Sequence, residues 1–272
     1  MVTGISTASM FGKGLLEDNL KQIGQQGIRH AEVFLNTFSE YSEAYARLLA
    51  GIAGDYGIAI HSVHPHGVQF EPQMFYGYER TANDAFGMFE RVLAAGQALG
   101  AKTYVFHGGM FYKPMVQHQH NFERIGSTIS RAADLAAQYG LVLAYENVHW
   151  CWFSSPEFGE KLLEHVHSQN FGFTLDIKQA AQSGVGALKY LPIMAERLKN
   201  VHICDFVHTE SGMQTCLPFR GEMNFAALRQ GLLEANYEGP VMLEVYQHDY
   251  ESEEELFCCY QSVADFFTPP KP

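Results

Sequence analysis

The residues most able to do chemistry in this chain sit at the ends of six short apolar runs. GIAIHSVH closes on His64, AKTYVFH on His107, LVLAYE on Glu146, FGFTLD on Asp176 and GPVMLE on Glu244, while LKNVHICD carries His202 inside it. Glu146, Asp176, His202 and Glu244 together make a hard, oxygen-rich donor set, suited to Mn²⁺, Mg²⁺ or Co²⁺ and less exclusively to Zn²⁺. A single acid at such a position is ordinarily a solvated loop residue or a helix N-cap. Four metal-competent groups at successive run ends are not readily explained that way, provided that the fold brings those ends together.

The elements must therefore be arranged so that run ends converge. Successive ends lie roughly 25 to 45 residues apart, room for a loop, a helix and a second loop, as parallel strands require. The pattern predicts strands over Thr3–Ala8, His30–Leu35, Ile58–Val63, Thr103–His107, Leu141–Glu146, Phe171–Asp176, Asn200–Ile203 and Val241–Val245. Many of them are rich in Val, Ile and Phe and lack alternating polarity, as strands covered on both faces do. Stretches such as ANDAFGMFERVLAAGQAL and ERIGSTISRAADLAAQ repeat apolar residues at helical spacing. Gly57, Gly100 and Gly140 stand where helices should stop before the next strand. Eight strands alternating with helices point to an α/β fold, a (β/α)8 barrel in which residues at strand C-termini share one pocket. A doubly wound open sheet is the alternative. No linker or low-complexity tract divides the 272 residues, so one domain spanning 1–272 is expected.

Composition narrows the function. A hydrophobic fraction of 47% with 18% charged residues supplies ample core for a folded enzyme. The formal net charge of -12 disfavours a nucleic-acid partner, whose phosphates would be repelled. Five cysteines without a CxxC pair suggest neither a disulfide framework nor a structural zinc site. No signal-peptide pattern opens the chain and no apolar run reaches the roughly 18 residues of a membrane span, so a cytoplasmic protein without a membrane partner is expected.

The segments AYEN at Glu146, TLDIKQA at Asp176, VHICD at His202, LPFRGEMNF around Arg220 and EGPVMLEVY at Glu244 resemble the xylose isomerase-like TIM barrel superfamily of sugar isomerases and epimerases, over nearly the whole chain. The resemblance implies one divalent metal ion held by Glu146, Asp176, His202 and Glu244, with Mn²⁺ the leading choice and Mg²⁺, Co²⁺ or Zn²⁺ the alternatives. It implies a small sugar or polyol substrate, and a proton transfer through a metal-stabilised enediolate in which Glu146 and Glu244 act as catalytic base and acid. Homo-oligomers are common in such families. Two departures stand out: Gln179 replaces a His usual three residues after the Asp, and Cys204 replaces a Lys usual two residues after the His. The apurinic-endonuclease branch needs that first His and an Asp-x-His pair, which is absent between Cys204 and Phe225.

Further positions are expected to line the pocket. His64 and His107 match a pair that contacts substrate or a second metal in such barrels, and a partly buried His satisfied by backbone is the plain alternative. Gln179, Arg220 and Trp150 are expected to contact substrate, with Trp150 and Trp152 forming an apolar wall. Asp205 is expected to orient His202, His66 to be a surface loop residue and Lys178 to form a salt bridge or stay solvated. Two competing chemistries fit the same residues: dehydration of a keto-polyol, and phosphoester hydrolysis with His64 and His107 completing a second metal site. A noncatalytic sugar-binding barrel is the remaining alternative.

Overall fold

The computed structural model describes residues 1–111 and 120–268. Strand and helix alternate from the start: β1 (Val2–Ser6), α1 (Leu16–Gln25), β2 (His30–Leu35), α2 (Glu43–Tyr56), β3 (Ala59–Pro65) and α3 (Glu79–Leu99). The pattern continues with β4 (Thr103–Phe106), α4 (Phe122–Gln138), β5 (Val142–Glu146), α5 (Pro156–Leu163), β6 (Phe171–Asp176) and α6 (Ile177–Gln182). It ends with α7 (Leu191–Met194), β7 (Leu198–Ile203), a hairpin of β8 (Asp205–Thr209) and β9 (Gly212–Cys216), α8 (Phe225–Glu234), β10 (Pro240–Leu243) and α9 (Glu253–Phe267). Eight strands close into a parallel barrel in the order β1-β10-β7-β6-β5-β4-β3-β2. This is the (β/α)8 barrel that the sequence predicts, and the open sheet is excluded.

Local chemistry accounts for the element ends. Ser42, Asn121 and Ser252 cap α2, α4 and α9, each side-chain oxygen accepting from the backbone N–H three residues on. Gly57, Gly100 and Gly140 take left-handed φ values of 66°, 77° and 73° at the helix stops. Helix α3 buries Phe86, Phe89, Val92, Leu93 and Leu99 on one stripe, and Phe89 packs 4.8 Å from Tyr104 of β4. Tyr145 of β5 lies 5.3 Å from Phe153, which in turn lies 5.5 Å from Phe173 of β6. Such aromatic packing between barrel and helices fixes the strand ends.

Three local differences from expectation have simple causes. β1 stops at Ser6, whose hydroxyl accepts from Ala8 N and starts a 3-10 turn over Thr7–Met10. β10 stops at Leu243, leaving Glu244 just beyond the strand. The β8–β9 hairpin, absent from the strands expected from sequence, pairs Asp205 through Thr209 with Cys216 through Gly212, with Gly212 at a left-handed φ. Among the described residues no helix is long and apolar enough to cross a membrane.

Candidate metal centre

Four strands deliver the predicted ligands to one place. Glu146 ends β5, Asp176 ends β6, His202 lies near the end of β7 and Glu244 follows β10. One ligand atom from each lies within 4.8 Å of the others, and all four residues are buried. Nδ1 of His202 is 2.9 Å from both Oε1 of Glu146 and Oε2 of Glu244.

The other ring nitrogen explains why the imidazole faces this way. Nε2 of His202 is 3.0 Å from Oε2 of Glu32, a fully buried carboxylate on β2. Glu32 also accepts from Ser6 Oγ at 2.9 Å, Ser62 Oγ at 2.6 Å and Asn200 Nδ2 at 2.8 Å. A carboxylate behind a histidine fixes the tautomer that leaves the opposite nitrogen's lone pair free for a metal. The sequence signal for Glu32 is slight, one acid inside the apolar run HAEVFL. Asp205, expected to hold His202, does something else. Its carboxylate accepts from the backbone N–H of Phe206, Gly221 and Met223 and pins the turn after β9. Asp205 opens the hairpin, and its carboxylate is turned to the backbone of that turn and not to His202.

A second group adjoins the first. Nε2 of His64 and Nε2 of His107 are 2.9 Å apart, and Nε2 of His107 is 3.0 Å from Oε2 of Glu146. His64, His107 and Glu146 meet the same proximity limit as a possible cation site. Glu71, also fully buried and unsuspected from sequence, sets this corner. Its Oε2 accepts from the backbone N–H of His107 at 2.8 Å and Gly108 at 3.0 Å, and its Oε1 from Tyr104 Oη at 2.8 Å. Burial raises the Glu71 carboxyl above its ordinary value, and those donors act against the rise.

The electrostatics are those of carboxylates gathered around imidazoles. Burial alone would raise Glu32, Glu146 and Glu244, yet the His202 imidazole beside them holds all three below the usual carboxylate range. Burial likewise disfavours charge on His202, but Glu244, Glu32 and Glu146 hold its proton affinity well above the ordinary value. Asp176 is pushed up to about 7 by burial and by the Glu146 and Glu244 carboxylates, against the pull of Lys178.

The residues fit a divalent cation. Oε2 of Glu146 is buried and faces two imidazoles, His107 Nε2 at 3.0 Å and His64 Nε2 at 3.9 Å, nitrogens that can bind a cation together with it. Carboxylate oxygens of Glu146 and Glu244 also converge on one His202 nitrogen, an arrangement that positive charge among them stabilises.

The remaining predicted residues are distributed unevenly. Trp150 lies beside His107, with ring centroids 5.8 Å apart, whereas Trp152 packs against Phe75 at 5.0 Å. The side chain of Gln179 is taken up by His149, accepting from its backbone N–H and lying 2.7 Å from Nδ1. Arg220 is half-exposed and forms an ion pair with Glu255 of α9, and among the described residues no ion pair joins it to the cluster. His66 is half-buried, 6.1 Å from the Phe34 ring, and not the surface residue expected. Lys178 is buried, against Asp176 and Glu244.

Comparison with known proteins agrees with this architecture. The chain is 24% identical over 269 residues to the uncharacterised protein ML2432 of Mycobacterium leprae, covering 89% of this chain and 88% of that one. It superposes on a crystal structure of a D-tagatose 3-epimerase-like protein with a TM-score of 0.80 at 17% identity, over 98% of this chain and 97% of that chain. A D-psicose 3-epimerase from Clostridium cellulolyticum H10, solved with D-tagatose, gives a TM-score of 0.80 at 15% identity and 98% of both chains. Likenesses at such identities speak for the fold. The model of the xylose isomerase-like TIM barrel family matches residues 18–257, and the chain belongs to that family.

Proposed function

We propose that this protein is a divalent-metal-dependent isomerase or epimerase of a small neutral ketose, aldose or cyclic polyol ketone. The observation that carries the reading is the pair Glu146 and Glu244, two buried carboxylates that flank one His202 nitrogen from β5 and from beyond β10. The epimerase names of the structural neighbours support it.

A divalent ion held by Glu146, Asp176, His202 and Glu244 would polarise a substrate carbonyl next to a hydroxyl, making the carbon between them acidic. The protein's own residues then move the proton. Oε2 of Glu146 accepts it from the carbon alpha to the carbonyl, with His107 Nε2 at 3.0 Å to stabilise the oxygen as its charge changes. Glu244, approaching from another part of the barrel wall, takes up a proton from solvent and delivers it to carbon. Return to the same carbon gives the epimer, and return to the neighbouring carbon interconverts aldose and ketose.

The surroundings suit an uncharged ring or chain. Phe34 lies 4.9 Å from the His64 ring, Trp150 stands by His107, and Tyr246 lies 5.4 Å from the ammonium of Lys178. These rings offer apolar faces to sugar carbons and keep water from the carboxylates. Among the described residues, Lys178 is the one Lys or Arg ion-paired with the cluster, and two carboxylates engage it. That favours a substrate without phosphate.

The test is incubation of the protein with Mn²⁺ and a panel of ketoses in D2O. Deuterium should enter a carbon of one substrate without loss of water, and Glu146→Gln should slow that entry by about 10²- to 10⁴-fold. A product lighter by one water would assign a dehydratase instead. One observation favours a second reading. The trio His64, His107 and Glu146 offers a further cation position sharing Glu146, as a metal-dependent phosphoesterase would use. Two or more transition-metal ions per chain with phosphodiester hydrolysis would decide for it.

A further inference from the structure

Lys178 occupies an unusual place for a lysine. Asp176 caps α6 by accepting from Gln179 N through Oδ1 at 2.8 Å, which turns Oδ2 toward the Lys178 ammonium at 2.5 Å. The same ammonium donates to Oε2 of Glu244 at 3.0 Å. Lys178 is only 3% exposed, and the Tyr246 ring lies over it. Four carboxylates, those of Glu32, Glu146, Asp176 and Glu244, are gathered here with little access to solvent. Buried carboxylates in such number repel one another unless a cation is among them, and Lys178 carries a fixed one on a side chain that cannot leave. It contacts two of the four residues assigned to the metal. Any divalent ion taking those carboxylates acquires an ammonium as a close like-charged neighbour, in surroundings where water screens little.

We propose that Lys178 is the built-in counter-ion of the metal centre: it neutralises Asp176 and Glu244 in the metal-free protein and competes with a divalent cation for them, so that the ion is held weakly and exchanges. Lys178 is in this sense a positioning residue, acting on the metal through its ligands. The inference rests on the metal-dependent reading above. It also gives a reason for a lysine on α6 in a chain that has Cys204, buried and without charge to offer, on the neighbouring strand end.

The experiment compares the full-length wild type with Lys178→Met and with Lys178→Gln, the latter keeping N–H donors for the carboxylates without the charge. Each protein is stripped with EDTA, titrated with Mn²⁺ by calorimetry, and melted in EDTA and in excess Mn²⁺. Both variants should bind Mn²⁺ at least about tenfold more tightly than wild type, since a competing charge has gone. Both should melt lower than wild type in EDTA, and Mn²⁺ should close most of that gap. A merely structural lysine predicts the opposite, because a loosened site binds metal less well. Equal or weaker Mn²⁺ binding in whichever variant folds overturns the inference while leaving the metal centre standing. Absence of Mn²⁺ binding in wild type and variants alike overturns both.

Discussion

Glu32 orders the candidate centre without being one of its four assigned ligands. Its two oxygens gather Ser6, Ser62, His64, Asn200 and His202, so a single buried carboxylate couples four strands to the imidazole that faces Glu146 and Glu244. Glu32→Gln keeps the volume and removes the charge that fixes His202. It should weaken divalent-metal affinity by about 10- to 100-fold, read by titration of the stripped protein. Unchanged affinity would show that His202 is held by packing alone. Residue by residue, the candidate ligands at strand ends were legible in the sequence because apolar runs of parallel strands mark their own ends. Glu32 was hidden because an acid facing into a barrel looks, in one dimension, like an acid on any strand. Asp205 and Arg220 misled for a related reason. Their neighbours in sequence are site residues, but the hairpin and the turn after it carry them to Gly221 and Glu255.

At the scale of elements, the turn after β4 is the part of the site most sensitive to backbone shape. Gly108 has φ 69°, and a Cβ there would stand 2.5 Å from Tyr145 Oη. The same turn presents His107 to His64 and Glu146 and is gripped by Glu71 through two backbone N–H groups. Gly108→Ala should therefore cost about 1–3 kcal/mol of stability from backbone strain alone and displace His107. Chemical denaturation measures the loss, and a variant as stable as wild type would mean that the turn relaxes freely. The glycines after runs such as AKTYVFH announce such a turn in the sequence, whereas Glu71, more than thirty residues upstream, is tied to it by tertiary contact alone. The β8–β9 hairpin was missed for lack of apolar content. Its strands are held by antiparallel backbone pairing, and after Asp205 none of their residues is fully buried, so no periodicity toward a core marks them.

At the scale of the whole molecule, barrel closure places chemistry at one end of the strands and leaves the other end to stability. Just before Glu32 the register between β2 and β3 slips, leaving His61 as the extra residue, with its Nε2 2.9 Å from Nδ1 of His30. Burial lowers both histidines below the ordinary value of 6.5, and the His30 neighbour lowers His61 further. The unfolded chain thus binds protons that the fold resists. The pair's contribution to stability is complete above 6.5 and is lost as the pH falls from there through the depressed folded values. On going from about pH 7.5 to about pH 5.5 the wild type should lose melting temperature relative to His61→Gln, since the raised Asp176 and His202 act alike in both proteins. An identical slope in the variant would remove the pair from the account. Fold class, strand order and the convergence of the ligands were readable from end to end, because eight similar units repeat one pattern. The buried network beneath the ligands was not, because it is assembled across the barrel by strands far apart in sequence. The central claim is that this network exists to hold a divalent ion, and elemental analysis of the purified protein tests it most directly. After equilibrium dialysis against Mn²⁺, with the ion counted against the dialysate and no wash to strip a weakly held ion, the wild type should carry one divalent ion per chain and Glu244→Ala should carry none. A wild type that retains no metal under those conditions would contradict the account.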